Sequence, residues 1–597
     1  MLDISQDSAI KWNGSSLLVI AGPGSGKTYV IINRISYLLQ RGYEPDRILV
    51  ISYTRDAAES VCRRFRESDK TGSNVHFGTF HSVFFRVLRE SFGYDIRSIL
   101  NENEKKNMAR FALKLAGFHT DDRMLSDFFS VLSKRNDSGD KCQDKSKKYA
   151  EAEDIYIKMK SERKRLDFDD ILFLSHKKLL QDPEILSYWK NRFDVIIIDE
   201  AQDMNPIQFR LLLLIKGKKT DIFMVGDDDQ SIYGFRGSDP GILKKFTEAC
   251  PETGIIYLSN NYRCASSILD HSKRLISHNK IRFQKQQTAV SSERGMISVK
   301  SFNDKAEEAC FITKEVMTRI KKPLKIGILF RHRISSAFIE SDLTAAGISY
   351  SYRNRGSIYN IFIVDDIISY LKILSGSGRR SDYLRIINRP ERYISRDSFR
   401  EETVSESRCL LDTGNMRARE NLRLFFQNLF FASTLPPFAQ ISYFRRGLMY
   451  DDFVKSREES DGRQEGDYMQ YLDLINEESS HFKKTETFLE FLNEMNNKEE
   501  NRYREDPDET VSLMTFHGSK GLEFDTVFIL DAVEGSSPSY KAVKDVEMEE
   551  ERRMFYVAVT RARKELVICT IENDRNKRAY PSRFLREMTE DICQSES

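Results

Sequence analysis

The stretch Ser15–Thr28, SSLLVIAGPGSGKT, decides the fold. Leu17 to Ile20 form a short apolar run, the pattern of a buried strand. Ala21, Gly22, Pro23, Gly24, Ser25 and Gly26 follow, too rich in glycine for a helix or strand interior. Lys27 and Thr28 then open a helical pattern carried by Val30, Ile31, Ile35 and Leu38. Strand, glycine loop, Lys-Thr and helix together predict a phosphate-binding loop. Residues without side chains let backbone N–H groups close around phosphate oxygens, and the helix N-terminus adds positive potential. Lys27 is placed to reach the terminal phosphates, and the Thr28 hydroxyl to complete a Mg²⁺ shell. Ala21 stands where this loop usually has its first glycine, and it is small enough for the position. A purely structural glycine turn leaves Gly-Lys-Thr at a helix start unexplained.

Working outward, 597 residues are too many for one domain, and 40% hydrophobic content is ample for several cores. A net charge of +2 on 31% charged residues is nearly balanced, so any nucleic-acid site must be a local groove. The cysteines are scattered with no CxxC pair, which argues against a zinc or iron–sulfur site and suits a reducing compartment. The N-terminus MLDISQDSAIKWNG lacks the basic and apolar regions of a signal peptide, and no apolar run reaches bilayer length. The expectation is a cytoplasmic protein with no membrane partner.

Before the loop, Gln6 carries an amide donor and a carbonyl acceptor able to pair with the N6/N7 edge of adenine, although a surface glutamine is the commoner meaning. After it, Arg47–Thr54 and Val75–Ser82 each read as a strand ending in aromatics and hydroxyls, including Tyr53, Thr54 and His81. Such ends can stack bases and bind phosphates, or simply cap helices. From about Leu88 to Arg165 apolar positions fall at helical spacing, interrupted by the polar stretch Lys134–Lys141, which predicts a helical insert. Within Phe193–Asp203 four apolar residues in a row read as a strand buried on both faces, and it ends in Asp199 and Glu200. In a phosphate-loop enzyme the first acid at such a strand end holds Mg²⁺ through its water shell. The second can orient and deprotonate water. The strand Ile222–Gly226 leads to Gln230, placed to sense a γ-phosphate, and to Tyr233, Phe235 and Arg236, which could form a base-stacking platform or a packed loop. A second α/β unit begins near Pro251. It carries strands at Ile326–Arg331, Asp525–Leu530 and Leu566–Cys569, a strand and turn within Val511–Phe524, and a second helix-patterned insert.

QxxA, AGPGSGKT, SYTRDAA, GTFHS, DEAQD, VGDDDQSIYGFRG, NNYR, TFHGSKGLEF and VAVTRAR occur in one order. That order and wording resemble the UvrD/Rep/PcrA family of superfamily 1 DNA helicases over nearly the whole chain. The resemblance implies an α/β fold of two RecA-like parallel-sheet domains, each interrupted by a mainly helical insertion. Domain 1A would comprise 1–88 and 166–255, insert 1B 89–165, domain 2A 256–376 and 507–597, and insert 2B 377–506. It implies ATP-driven movement 3′ to 5′ along single-stranded DNA, with ATP and Mg²⁺ as cofactors. Single-stranded DNA and single-strand/duplex junctions would be the partners, in DNA repair or recombination. By motif position Gln6 would read adenine, with Tyr262 and Tyr29 stacking on it. Residues Ala21 to Thr28 would hold the phosphates, Asp199 the metal, and Glu523 the ribose. Glu200 would be the general base, and Gln230, Arg263 and Arg561 would sense the γ-phosphate. The DNA track would include Tyr53, Thr54, His81, Tyr233, Phe235, Arg236 and His517.

Three departures from the family pattern stand out. Tyr29 replaces an arginine that often follows Gly-Lys-Thr. Tyr233-Gly234-Phe235-Arg236 has phenylalanine where tryptophan is usual. A Gly-Ile-Gly turn used to grip duplex reads Tyr393-Ile394-Ser395, with Arg389, Arg392 and Arg396 as the cations nearby. The expectation is a competent translocase that unwinds weakly alone and improves with a protein partner or a second copy. A DNA-stimulated ATPase serving a nuclease or defence complex without unwinding is the alternative, since both use the same motor. A phosphate-loop enzyme acting on a small molecule leaves the arginines of the second unit unexplained.

Overall fold

A computed structural model describes residues 3–68, 74–118, 124–125, 127–129, 131–132, 145–234, 237–353, 362–460, 468–502, 510–574 and 577–589. The chain is α/β, with two large parallel sheets, as its apolar runs predict. It divides into two compact units, Met1–Glu308 with Ser519–Ser597, and Ala309–Gly518.

The first sheet lies wholly in the first unit. Its strands are β1 (Ser16–Ala21), β2 (Ile48–Ser52), β3 (His76–Thr79), β4 (Val195–Ile198), β5 (Asp221–Gly226) and β6 (Gly254–Leu258). They run parallel in the order β3-β2-β4-β5-β1-β6. Every residue of β1, β2 and β4 is buried, because helices cover both faces. On one face Leu18, Ile20, Ile196, Ile198 and Met224 share a core, and on the other Val19, Val195, Ile197 and Val225 do. Helices α1 (Ile4–Ile10) and α2 (Lys27–Gln40) flank β1 in sequence. Because β4, β5 and β1 are neighbours, the loops that leave their C-terminal ends converge, the usual place for a ligand in an open parallel sheet.

The same unit contains the two-residue strands β7 (Asn260–Asn261) and β8 (Thr288–Ala289), paired with each other. It also holds β9 (Met296–Phe302), which pairs in parallel with a long strand at Ala562–Ile571, itself parallel to Phe524–Ile529. The sequence reading names neither β6 nor β9. In β9 only Phe302 is fully buried, so it lacks the continuous apolar run that marks a central strand. The helices Glu102–Leu115 and Lys145–Glu162 have their own core around Met108, Phe128, Tyr149 and Tyr156. The polar stretch Lys134–Lys141 lies outside the described residues.

In the second unit β10 (Ile326–Phe330) and β11 (Ser351–Arg353) flank β12 (Val511–Thr515), all parallel. Helices between 362 and 502 pack around Ile367, Tyr370, Phe425, Phe444, Leu472 and Phe488. Within them a turn at 388–394 is heavily braced. Asn388 Oδ1 accepts from the Arg392 and Ile394 N–H groups, both at 3.2 Å. Arg392 donates to the carbonyls of Ile386, Ile387, Pro390 and Leu448 and lies over the Phe425 ring. Arg389 donates to the buried Asp366 at 2.5 Å. These two arginines serve the fold of the unit, so neither is a spare cation. Tyr393 sits at φ 55° with its side chain 72% exposed. Among the described residues no helix is long and apolar enough to cross a membrane.

Candidate functional site

The loop after β1 folds as its glycines predict. Gly26 takes φ 84° as the N-cap of α2, and a side chain there would strike the Gln6 amide. Gln6 is buried on α1 and donates to the Ser25 carbonyl at 3.0 Å. Since only its nitrogen can donate, that bond fixes which end of the amide faces the loop. Tyr262, just after β7, donates its N–H to the Gly24 carbonyl at 2.8 Å. Asn261 Nδ2 donates to the Pro23 carbonyl at 2.7 Å. Tyr29, on the first turn of α2, has an exposed ring.

At the end of β4, Glu200 adopts φ 50°, a strained conformation for a glutamate and one found at functional sites. Its carboxylate lies 3.6 Å from Lys27 Nζ and 3.9 Å from Lys520 Nζ. Gln202 Nε2 donates to it at 2.5 Å. Burial alone would raise the Glu200 carboxyl, but these two ammonium groups and the Gln202 amide hold it below the usual range. Asp199 is pushed the other way, by burial and by the Glu200 charge beside it. A buried carboxyl destabilised as an anion, with the Thr28 hydroxyl at the head of α2, fits a Mg²⁺ site.

Gln230 follows β5. Its Oε1 accepts from Arg561 Nη2 at 3.4 Å, and its Nε2 donates to Asp227 at 2.6 Å. Arg561 is 1% exposed, and its bonds go to the Val557 and Leu522 carbonyls, Thr560 Oγ1 and Gln230. None of these partners is charged. Burial and the nearby Arg263 cation disfavour its positive charge, and the Glu200 carboxylate offsets them only in part. Arg263 Nε donates to Glu523 at 2.9 Å, and Arg563 lies 3.8 Å from the same carboxylate. All of these groups belong to the first unit.

Asp227, Asp228 and Asp229 are close enough together to hold a metal ion. Lys285 instead pairs with all three, at 2.5–2.7 Å, and Arg282 grips Asp229 through two nitrogens. Two cations thus hold three carboxylates in an ion-paired internal strut beside the Gln230 loop.

The candidate DNA residues fall into separate groups. Tyr53 and Tyr233 stack with centroids 5.0 Å apart, and Lys520 Nζ lies 5.1 Å from the Tyr233 centroid. His81 stacks on Phe168 at 4.0 Å and 18°. Thr54 Oγ1 accepts from the Ala57 N–H at 3.2 Å and so caps the helix Arg55–Ser68. His517 belongs to the second unit, in the turn after β12. Phe235 and Arg236 lie outside the described residues.

Sequence reasoning gave no role to Lys520, Asp203, Gln202 or Phe168. Lys520 donates to the Gln230 carbonyl at 2.9 Å and pairs with the buried Asp203. Gln202 Oε1 accepts from the Asp227 N–H at 2.9 Å, so one amide ties the Glu200 turn to the Gln230 loop. Phe168 is an exposed phenylalanine beside a run of acids, a signal that an apolar count does not separate from core packing.

Comparison with known proteins agrees with this arrangement. Residues 2–251 match the UvrD/REP helicase N-terminal domain, and residues 256–421 and 425–573 the UvrD-like helicase C-terminal domain. An ATP-dependent DNA helicase PcrA of Staphylococcus epidermidis is 30% identical, aligned over all of this chain and 87% of its own length. The protein of the same name from Staphylococcus aureus is 29% identical over the same shares. With both halves matched and the phosphate loop, acidic strand end and buried arginine assembled in one unit, the chain belongs to the UvrD/Rep helicase family.

Proposed function

We propose that this chain is an ATP-driven motor that moves 3′ to 5′ along single-stranded DNA and separates DNA strands, in DNA repair or recombination. The observation that carries the reading is Arg561, a buried guanidinium with uncharged partners, held by Gln230 in the same unit as Lys27 and Glu200. A buried cation calls for an anion, and the γ-phosphate of ATP supplies one. Lys27 and residues 21–28 bind the phosphates, Gln6, Tyr29 and Tyr262 the base, and Glu523 the ribose once released from Arg263. Asp199 and Thr28 would hold Mg²⁺, which would supply positive charge against the phosphates. Lys27, 3.6 Å from Glu200, suppresses its basicity. When Lys27 turns to the phosphates, that suppression is lifted, and Glu200 becomes a better acceptor for the proton of attacking water. Arg263 and Arg561 stabilise the charge of the transferring phosphoryl group. Lys520 links Glu200 and Asp203 to the Gln230 carbonyl and to Tyr233, giving a route from nucleotide to DNA track. Phe168 joins His81 in that track.

A second reading, a motor that translocates without unwinding alone, draws support from the 388–394 turn. Tyr393 occupies a glycine-like backbone position with a large side chain, and Arg389 and Arg392 are committed within the unit. Strand displacement on duplexes with a 3′ or a 5′ tail separates the readings. Unwinding of the 3′-tailed substrate alone supports the first. DNA-stimulated ATPase without displacement supports the second. ATPase indifferent to DNA overturns both.

A further inference from the structure

Asp3 stands immediately before α1, and its two carboxylate oxygens do different work. Oδ1 accepts from the Gln6 N–H at 2.7 Å and from Ser5 Oγ at 2.6 Å, capping the helix that carries Gln6. Oδ2 accepts from the Tyr262 hydroxyl at 2.9 Å and from Asn260 Nδ2 at 3.1 Å. Residues 3 and 262 are far apart in sequence, so no helical or hairpin register brings them together. Although partial burial opposes it, these donors hold the Asp3 carboxyl below its usual range. Burial and the acceptor in turn raise the Tyr262 phenol.

We infer that Asp3 is a positioning residue for the nucleotide base: one carboxylate fixes the polar reader Gln6 and the flat stacker Tyr262 in a single mutual geometry. This rests on the nucleotide-binding reading of Gln6 and Tyr262. Tyr262 is already held at its backbone by the Gly24 carbonyl. The Asp3 bond holds the far end of the ring, so the plane is set before a base arrives. Gln6 is likewise held from both sides, by the cap at its N–H and by the Ser25 carbonyl at its amide. A base entering such a frame loses less freedom in ordering the protein around it, the ordinary gain from preorganisation. The hydroxyl of Tyr262 then acts through Asp3, while its ring acts on the base.

The frame predicts a pattern that a mere helix cap does not. Asp3→Ala and Tyr262→Phe each remove one end of the same bond, so each raises the KM for ATP about tenfold, the scale of a hydrogen bond to a charged group. Because only uniform binding is lost, kcat at saturation stays within about twofold. The double variant is no worse than the worse single one, since the second change finds the bond already gone. Asp3→Asn keeps the cap oxygen, and its amide can donate to the Tyr262 hydroxyl, so it melts with the wild type and its KM rises less than that of Asp3→Ala. ATPase kinetics and thermal melting on the full chain read all four variants. Additive losses, about a hundredfold in the double variant, overturn the brace. A wild-type KM in Tyr262→Phe overturns it too, leaving the cap alone. If the wild-type chain turns over no ATP, the nucleotide reading itself fails. Turnover with a wild-type KM in Asp3→Ala sinks only the brace.

Discussion

Glu200 shows how one residue can be read from sequence in identity but not in state. Two acids ending a buried strand behind a phosphate loop announce themselves. The left-handed backbone at Glu200 and its three neighbours, Lys27, Lys520 and Gln202, do not. Lys520 and Asp203 sit in motifs legible from the sequence, but nothing in the order of residues says that a lysine and an aspartate more than three hundred positions apart form a pair. Lys27→Ala is expected to abolish hydrolysis by removing the phosphate cation. Glu200→Gln is expected to abolish it with nucleotide binding intact, and retention of a third of wild-type turnover on single-stranded DNA would remove Glu200 from its role. Arg561→Ala should cost roughly 3–4 kcal/mol of transition-state stabilisation, by analogy with the loss of an oxyanion donor. A fall in DNA-stimulated turnover of less than tenfold would show that this buried cation does not meet the phosphate. His81 gives a pH test. His81 is partly buried, and that burial lowers its pKa from 6.5 to about 4, so the folded chain disfavours the charged ring. As pH falls below 6.5 the unfolded chain takes a proton that the folded chain refuses, and stability drops until about pH 4. Each unit of that interval is worth about 1.4 kcal/mol. His81→Gln should flatten the loss of melting temperature between pH 6.5 and 4, and an unchanged slope would mean that His81 is more open to water than its packing indicates.

At the scale of elements, β1, β4 and β5 are the legible parts because burial on both faces writes itself as an unbroken apolar run. β9 is illegible for the opposite reason, since most of its side chains meet water. The 388–394 turn is a third case. The missing glycines are plain in the sequence, yet the structure keeps a glycine-like φ at Tyr393 and braces it with Asn388 and Arg392. Holding a tyrosine there costs about 1–2 kcal/mol. Tyr393→Gly should therefore stabilise the second unit modestly, by up to about 1 kcal/mol. It should also raise strand displacement relative to DNA-stimulated ATPase, because the bare backbone N–H can then approach a phosphate. A variant that melts higher but displaces no more strand would separate the strain from any role in gripping duplex.

For the whole molecule, the proposed division of labour is that the first unit burns ATP and the second helps to engage duplex. In that division the ATPase would rest on buried charges such as Arg561 and the Asp227–Asp229 cluster with Lys285, which salt screens weakly. Contact with duplex by surface cations is lost steeply as salt rises. Raising salt on the dilute chain should therefore abolish strand displacement well before single-stranded-DNA-stimulated ATPase, and parallel decline of the two would refute the division. The first unit is built from both ends of the chain, while the second is one continuous stretch, Ala309–Gly518. On a ribosome, then, the glycine loop of residues 21–28 emerges before the second unit, and Ala309–Gly518 can complete its contacts while the first unit is still unfinished. β9 must wait for residues 562–571 to find its neighbour. Arg561 arrives at that same moment, so the proposed cradle for the nucleotide is made long before the arginine proposed to act on it.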